Sequence, residues 1–191
     1  LDCFMLSPRI ELAITTMLEA HGLGRRKSGQ SFEATHVLAV GLIVKDFGFG
    51  EDAVISGILH DTLEDTDLER SIIKRRFGPQ VLATVEDVTE PSRRSSWRNR
   101  KDTYISQIRE TPRDDARAVA AADKIHNLSS MVAGLEEQGP GFADAFTAGL
   151  ADMVWYQETV HQTLADRWSH VILDEHERQL ARFVYIARSH L

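Results

Sequence analysis

Ser31-Phe32-Glu33-Ala34-Thr35-His36-Val37-Leu38-Ala39-Val40-Gly41-Leu42-Ile43-Val44-Lys45-Asp46 is the stretch from which the fold class is read. From Val37 to Val44 it is interrupted only by Gly41, far short of the roughly 20 apolar residues that span a bilayer, so it reads as a core helix and not a membrane span. His36 has Phe32, Ala39, Val40 and Ile43 at i−4, i+3, i+4 and i+7, which places its imidazole inside an inward apolar stripe. Taken alone, a core histidine of this kind is usually structural.

Working outward, helical periodicity dominates the chain and no internal repeat appears, so the expected fold is all-α. Ser7-Pro8 reads as N-cap and first residue of a helix ending near His21-Gly22. The 31–46 helix closes at Gly48 and Gly50, and further helices are expected from Glu51 to about Leu63, from Asp67 to Phe77 and from Pro79 to about Val88. After a polar, basic stretch comes a helix near 97–110. Thr111-Pro112-Arg113-Asp114 has the spacing of a capping box, predicting a helix from 112 to about Val132 that stops at Gly134. Amphipathic segments at roughly 141–168 and 172–188 complete the chain.

The 191 residues, 42% hydrophobic and 27% charged, are expected to form one domain over 1–191, with its motif-bearing core at about 20–133 and C-terminal helices at about 141–188. With 22 Lys+Arg against 29 Asp+Glu the net charge is −7, which argues against a sequence-independent grip on duplex nucleic acid. Cys3 is the lone cysteine, so neither a disulfide framework nor a thiolate zinc cluster is expected. With no basic-apolar leader and no membrane partner in view, a cytoplasmic location is expected.

Two further positions break the pattern of an ordinary core. His60 is preceded by Ala53, Ser56 and Gly57 at i−7, i−4 and i−3, a face of small side chains with room for a bound group, and Asp61 follows directly. Adjacent residues point about 100° apart on a helix, so this pair converges on one ion only where the helix meets a cavity. Asp123 has Ala116, Val119, Ala120, Asn127 and Met131 on its own face, with Ile125, Leu128 and Val132 opposite. A carboxylate on such a helix suffers several kcal/mol of desolvation unless a cation or several donors compensate it. Two imidazoles and two carboxylates without thiolate suit a divalent ion with open positions, Mn²⁺ or Fe²⁺ more than a closed zinc site.

The string His60-Asp61-Thr62-Leu63-Glu64-Asp65-Thr66, with His36 upstream, Ala122-Asp123-Lys124-Ile125-His126-Asn127-Leu128 downstream and Arg26-Lys27-Ser28-Gly29 before the first histidine, resembles the HD-domain hydrolase of bifunctional alarmone enzymes. In size the chain is similar to the stand-alone small alarmone hydrolases, and the resemblance covers roughly residues 20–133. It implies an HD-domain helical bundle and a Mn²⁺-dependent centre held by His36, His60, Asp61 and Asp123, with Fe²⁺ or another divalent ion as the alternative. It further implies Glu64 and Asp65 as the acidic pair that handles water and proton transfer, and Arg26, Lys27 and Asn127 as nucleotide contacts. Ser130, near Asn127 on the same helix, is placed within reach of substrate. The implied reaction is removal of the 3′-pyrophosphate from guanosine tetra- or pentaphosphate.

Each assignment has a plainer alternative. Asp67 is an N-cap. Asn127 could be a core amide satisfied by a backbone carbonyl, and Arg25-Arg26-Lys27 by itself would be a solvated basic turn. Arg93, Arg94, Arg98, Arg100 and Lys101 are either a second phosphate site or an ordinary basic loop, while Trp155, Tyr156, Trp168 and Phe183 read as core or an oligomer surface. Val37, Gln30-Ser31 and Phe32 depart from the family's usual Pro, Glu-Pro and Tyr. These departures leave open another nucleotide substrate: an adenosine alarmone, NADPH or a nucleotide phosphate ester. A non-catalytic nucleotide sensor is disfavoured by the intact acidic pair.

Overall fold

A computed structural model of the chain describes residues 7–26, 31–91 and 94–190. Among them the helices are α1 (Pro8–His21), α2 (Glu33–Asp46), α3 (Glu51–Leu59), α4 (Thr62–Asp65), α5 (Arg70–Phe77), α6 (Pro79–Val88), α7 (Trp97–Glu110), α8 (Asp114–Gln138), α9 (Leu150–Arg167) and α10 (Ile172–Arg188), with a 3-10 segment at Gly139–Ala145. The one bridge between extended residues joins Arg25 to Phe32. The all-α expectation is met. At α1 the Ser7 hydroxyl accepts from the Ile10 N–H and proline opens the helix, as the local sequence dictates.

Several boundaries differ from the sequence reading. Asp67 is not an N-cap: α5 starts at Arg70, with Glu69 at the N-cap position. The helix beginning at Glu51 does not run to Leu63; it ends at Leu59 and restarts at Thr62. Asp61, at φ −89 and ψ −6, makes the break, and the Thr62 hydroxyl donates to the Leu59 carbonyl at 2.6 Å. The long helix runs four residues past Gly134 to Gln138 and ends at Gly139, whose φ is +63. Gly134 is not a stop. The Phe142 ring lies on its backbone where a Cβ would stand, so this glycine serves packing. Residues 141–149 form no part of α9, being 3-10 and turn. At the start of α8 Thr111 does not cap Asp114: its hydroxyl bonds the Asp87 carboxylate, which also takes Arg113 at 2.7 Å.

Two apolar clusters organise the bundle. One joins α1, α2, α3, α6, α7 and the first half of α8, through Val37, Val40, Ile55, Leu59, Val85 and Val119. The other gathers the second half of α8, Phe142, the start of α9 and α10, through Leu128, Leu135, Met153 and Phe183. Helix α8 belongs to both, with Ile125 in the first cluster and Leu128 and Met131 in the second. Helices α2 and α3 meet backbone to backbone, because a Cβ on Gly57 would lie 3.2 Å from Gly41 Cα. That is the reason a glycine interrupts the apolar run of α2, and it carries His36 and His60 to within 5.2 Å, centroid to centroid.

Candidate metal centre

The break after α3 gives His60 and Asp61 a shared direction that a continuous helix would deny them. His60 Nε2 lies 3.1 Å from Asp61 Oδ1. His36 Nε2, from α2, lies 3.5 Å from Asp61 Oδ2 and 3.2 Å from Asp123 Oδ1; the same Asp123 oxygen is 3.8 Å from His60 Nε2. His36, His60 and Asp61, from α2 and the α3–α4 break, thus bring ligand atoms within 4.8 Å of one another, and Asp123 Oδ1 approaches both imidazoles from α8. Both histidines and Asp123 are buried.

The tautomers suit a cation. His60 Nδ1 lies 2.8 Å from the Gly57 carbonyl, which only accepts, so the ring proton sits on Nδ1. His60 Nε2 is buried without a hydrogen-bond partner, its approach to Asp61 being out of hydrogen-bond alignment. An imidazole held from behind by a carbonyl, with Nε2 turned to two carboxylates, is the arrangement of a metal ligand. Although burial works against a charged ring, Asp61 and Asp123 outweigh it and push His60 up to about 9. Asp61 is held well below the usual carboxylate range against a burial that would raise it, by His60 and His36. Without a cation the two acids keep a proton on the imidazole, which an entering divalent ion displaces.

Asp123 meets the need for compensation read from its apolar surroundings. Its compensation is partly internal: Oδ2 accepts from Lys124 Nζ at 2.6 Å and Oδ1 from Asn127 Nδ2 at 2.5 Å. Burial raises the Asp123 carboxyl, but Lys124 leads the groups that hold it well below its ordinary range. Lys124 is itself buried, 4.8 Å from the Tyr104 ring centroid and 5.3 Å from that of Tyr156.

The centre opens on a cavity of about 300 Å³. Arg26, Glu64, Asp65, Asn127 and Ser130 all line it. Arg26 Nη2 donates to Asn127 Oδ1 at 2.6 Å, so the amide is satisfied by an arginine and an aspartate rather than by the backbone. Lys27 lies outside the described residues, as does Arg93. Glu64 is pushed up to about 7, by burial first and then by the neighbouring carboxylates of Glu90 and Asp61. Of the basic loop, Arg100 and Lys101 line the cavity and both pair with Glu90. Arg94 is exposed, and Arg98 lies outside the cavity with its guanidinium 3.2 Å from the Trp155 ring centroid. Tyr156, read from sequence as core or an oligomer surface, is buried in the first apolar cluster and also lines the cavity. Tyr104, Lys124, Glu90 and Gln157 line it too, and none of these four was singled out. Lys124 and His126 stand inside the quoted 122–128 block; Tyr104 comes from α7, Tyr156 and Gln157 from α9, and Glu90 from the segment after α6, with no local signal.

Comparison with known proteins gives the chain a family and related folds. The sequence profile of the HD domain family matches residues 13–147. Guanosine-3′,5′-bis(diphosphate) 3′-pyrophosphohydrolase of Aquifex aeolicus (strain VF5) is 32% identical over 131 residues, which is 68% of this chain and 18% of that relative. The chain therefore spans less than a fifth of that protein. The crystal structure of lmo0812 from Listeria monocytogenes EGD-e superposes with a TM-score of 0.68 at 29% identity, over 80% of this chain and 94% of the other. The structure described as "A metazoan ortholog of SpoT hydrolyzes ppGpp and plays a role in starvation responses" gives 0.73 at 23% identity, over 93% and 98%, a likeness of fold.

Proposed function

We propose that this chain, which belongs to the HD domain family, is a metal-dependent hydrolase of the 3′-pyrophosphate of guanosine tetra- or pentaphosphate, yielding GDP or GTP and pyrophosphate. One observation carries the reading: His36, His60, Asp61 and Asp123 converge at one end of a cavity that is also lined by Arg26, Arg100, Lys101 and Lys124. Four basic side chains thereby stand on the wall where a polyphosphate would lie, beside the carboxylates of Glu33, Asp61, Glu64, Asp65, Glu90 and Asp123, whose charge a divalent cation would offset. The name of the Aquifex relative points to the same bond.

His36, His60, Asp61 and Asp123 would hold the ion, and their mixed nitrogen and oxygen donors fit Mn²⁺ or Fe²⁺. When bound, such an ion polarises a phosphoryl oxygen and acidifies water. The remaining work falls to the chain. Water adds to the phosphorus attached to the ribose 3′ oxygen, that P–O bond breaks, and the 3′ oxygen leaves as a hydroxyl. Glu64, poised near neutrality, accepts the proton from the attacking water, and the acidic pair of Glu64 and Asp65 returns that proton to the departing 3′ oxygen. Lys101 and Arg100 neutralise phosphate oxygens. Asn127, fixed between Asp123 and Arg26, orients the sugar side, and Ser130 and Lys27 are assigned to substrate contact.

The test is a panel of guanosine and adenosine 3′-pyrophosphates, NADPH and simple nucleotides incubated with Mn²⁺ or Fe²⁺, with products resolved by ion exchange. Guanosine tetraphosphate is expected to give GDP and pyrophosphate, and chelation to stop it. No turnover of any guanosine 3′-pyrophosphate with either ion would overturn the reading, and preference for an adenosine or nicotinamide nucleotide would move the substrate while sparing the centre.

A further inference from the structure

His60 and His36 present the same nitrogen to the centre but are held from behind in different ways. For His60 the holder is a carbonyl, which only accepts. For His36 it is another ring: His36 Nδ1 lies 2.9 Å from His126 Nδ1, with centroids 4.8 Å apart and planes tilted by 54°. Two nitrogens at that distance share one proton, so one ring donates and the other accepts. Which ring donates decides whether His36 Nε2 has a lone pair to offer Asp61's neighbourhood or a hydrogen. His126 is not among the residues lining the cavity.

We propose that His126 is a positioning residue that accepts from His36 Nδ1–H, fixing the tautomer and ring plane in which His36 Nε2 faces the centre. The inference rests on the metal-centre reading above. One turn of α8 then does three things: Asp123 supplies a carboxylate, Asn127 bonds it, and His126 sets the imidazole of α2 against it. With His36 Nε2 turned to the centre, its ring proton belongs on Nδ1, where His126 Nδ1 at 2.9 Å stands to accept it. Outer partners of this kind govern metal affinity through ligand orientation and basicity.

Calorimetric Mn²⁺ titration of the full chain, His126→Phe and His126→Asn tests it, with circular dichroism to confirm folding. His126→Phe is expected to weaken Mn²⁺ binding about 10–100-fold, and His126→Asn, whose carboxamide oxygen accepts, to recover a large part of the loss. Two-bond ¹⁵N–¹H correlation spectra of the metal-free protein, taken where the rings are neutral, should show His36 as the Nδ1–H tautomer in the wild type and as a mixture in His126→Phe. A folded His126→Phe protein with wild-type Mn²⁺ affinity, or a wild-type His36 protonated on Nε2, overturns the proposal. Should the wild type bind no Mn²⁺, the centre itself is misread, and the tautomer spectra still judge His126.

Discussion

Two pairs of histidines are packed edge to face in this molecule, and they behave in opposite ways. His36 and His60 meet at 5.2 Å and 71°, and His161 and His176 at 4.8 Å and 84°. The first pair has carboxylate oxygens at 3.1–3.8 Å, whereas among the described residues no ion pair reaches either ring of the second. His60 is accordingly pushed up to about 9, while burial, then His161, lowers His176 to about 3. Both ring nitrogens of His176 and Nδ1 of His161 are buried without partners. Burying imidazoles does not make a centre. Surrounding them with anions does, because the anions lower the cost of a cation by more than burial adds.

The comparison breaks most sharply at its anions. Asp61→Ala or Asp123→Ala should abolish Mn²⁺ binding in calorimetry and reduce kcat/KM by at least about 10³-fold, several kcal/mol of transition-state stabilisation; a folded variant at wild-type rates would refute the assignment. Next in size, Glu64→Gln should cost about 10²- to 10⁴-fold in rate. Glu64 at about 7 is a base only when ionised. Wild-type activity should therefore rise with pH through that region, a bound cation drawing the midpoint down, and the variant's pH profile should lack this limb.

Smaller effects sharpen the picture. Gly57→Ala forces α2 from α3, since its Cβ would meet Gly41 at 3.2–3.3 Å. We expect about 1–3 kcal/mol of destabilisation by urea unfolding, with a matching weakening of Mn²⁺ binding as His36 and His60 part. The second pair should respond with the opposite sign. His176→Leu removes unpaired buried nitrogens and should stabilise the chain by about 1–2 kcal/mol at pH 7. The folded value of about 3 lies below the ordinary 6.5, so the unfolded chain takes up a proton first and wild-type stability declines as pH falls between the two. Urea midpoints at pH 7 and pH 5 should show a steeper loss in the wild type than in His176→Leu.

How far the site was legible follows from what each residue's neighbours reveal. His36 and Asp123 stand out because helical periodicity surrounds each with apolar side chains, and a polar group on such a stripe demands compensation. His60 and Asp61 stand out by register to those two. Lys124 did not, although it is adjacent to Asp123, because an amphipathic chain such as lysine is normally read as reaching water; here α7 and α9 close over it with Tyr104 and Tyr156. Gly134 was misread for a similar reason: glycine after an apolar run signals a helix end unless another ring needs the space.

Sequence alone determined the all-α class, most helix starts and the four residues that converge on the centre, because caps, prolines and period-3.6 patterns are written within a few neighbouring positions. Only the tertiary structure decided that α3 breaks at Asp61, that Lys124 shares Asp123, that Glu90 gathers Arg100 and Lys101 at the cavity, and that His126 stands behind His36. Those facts depend on which helices pack side by side and close over a residue, and such packing leaves no local periodicity to read.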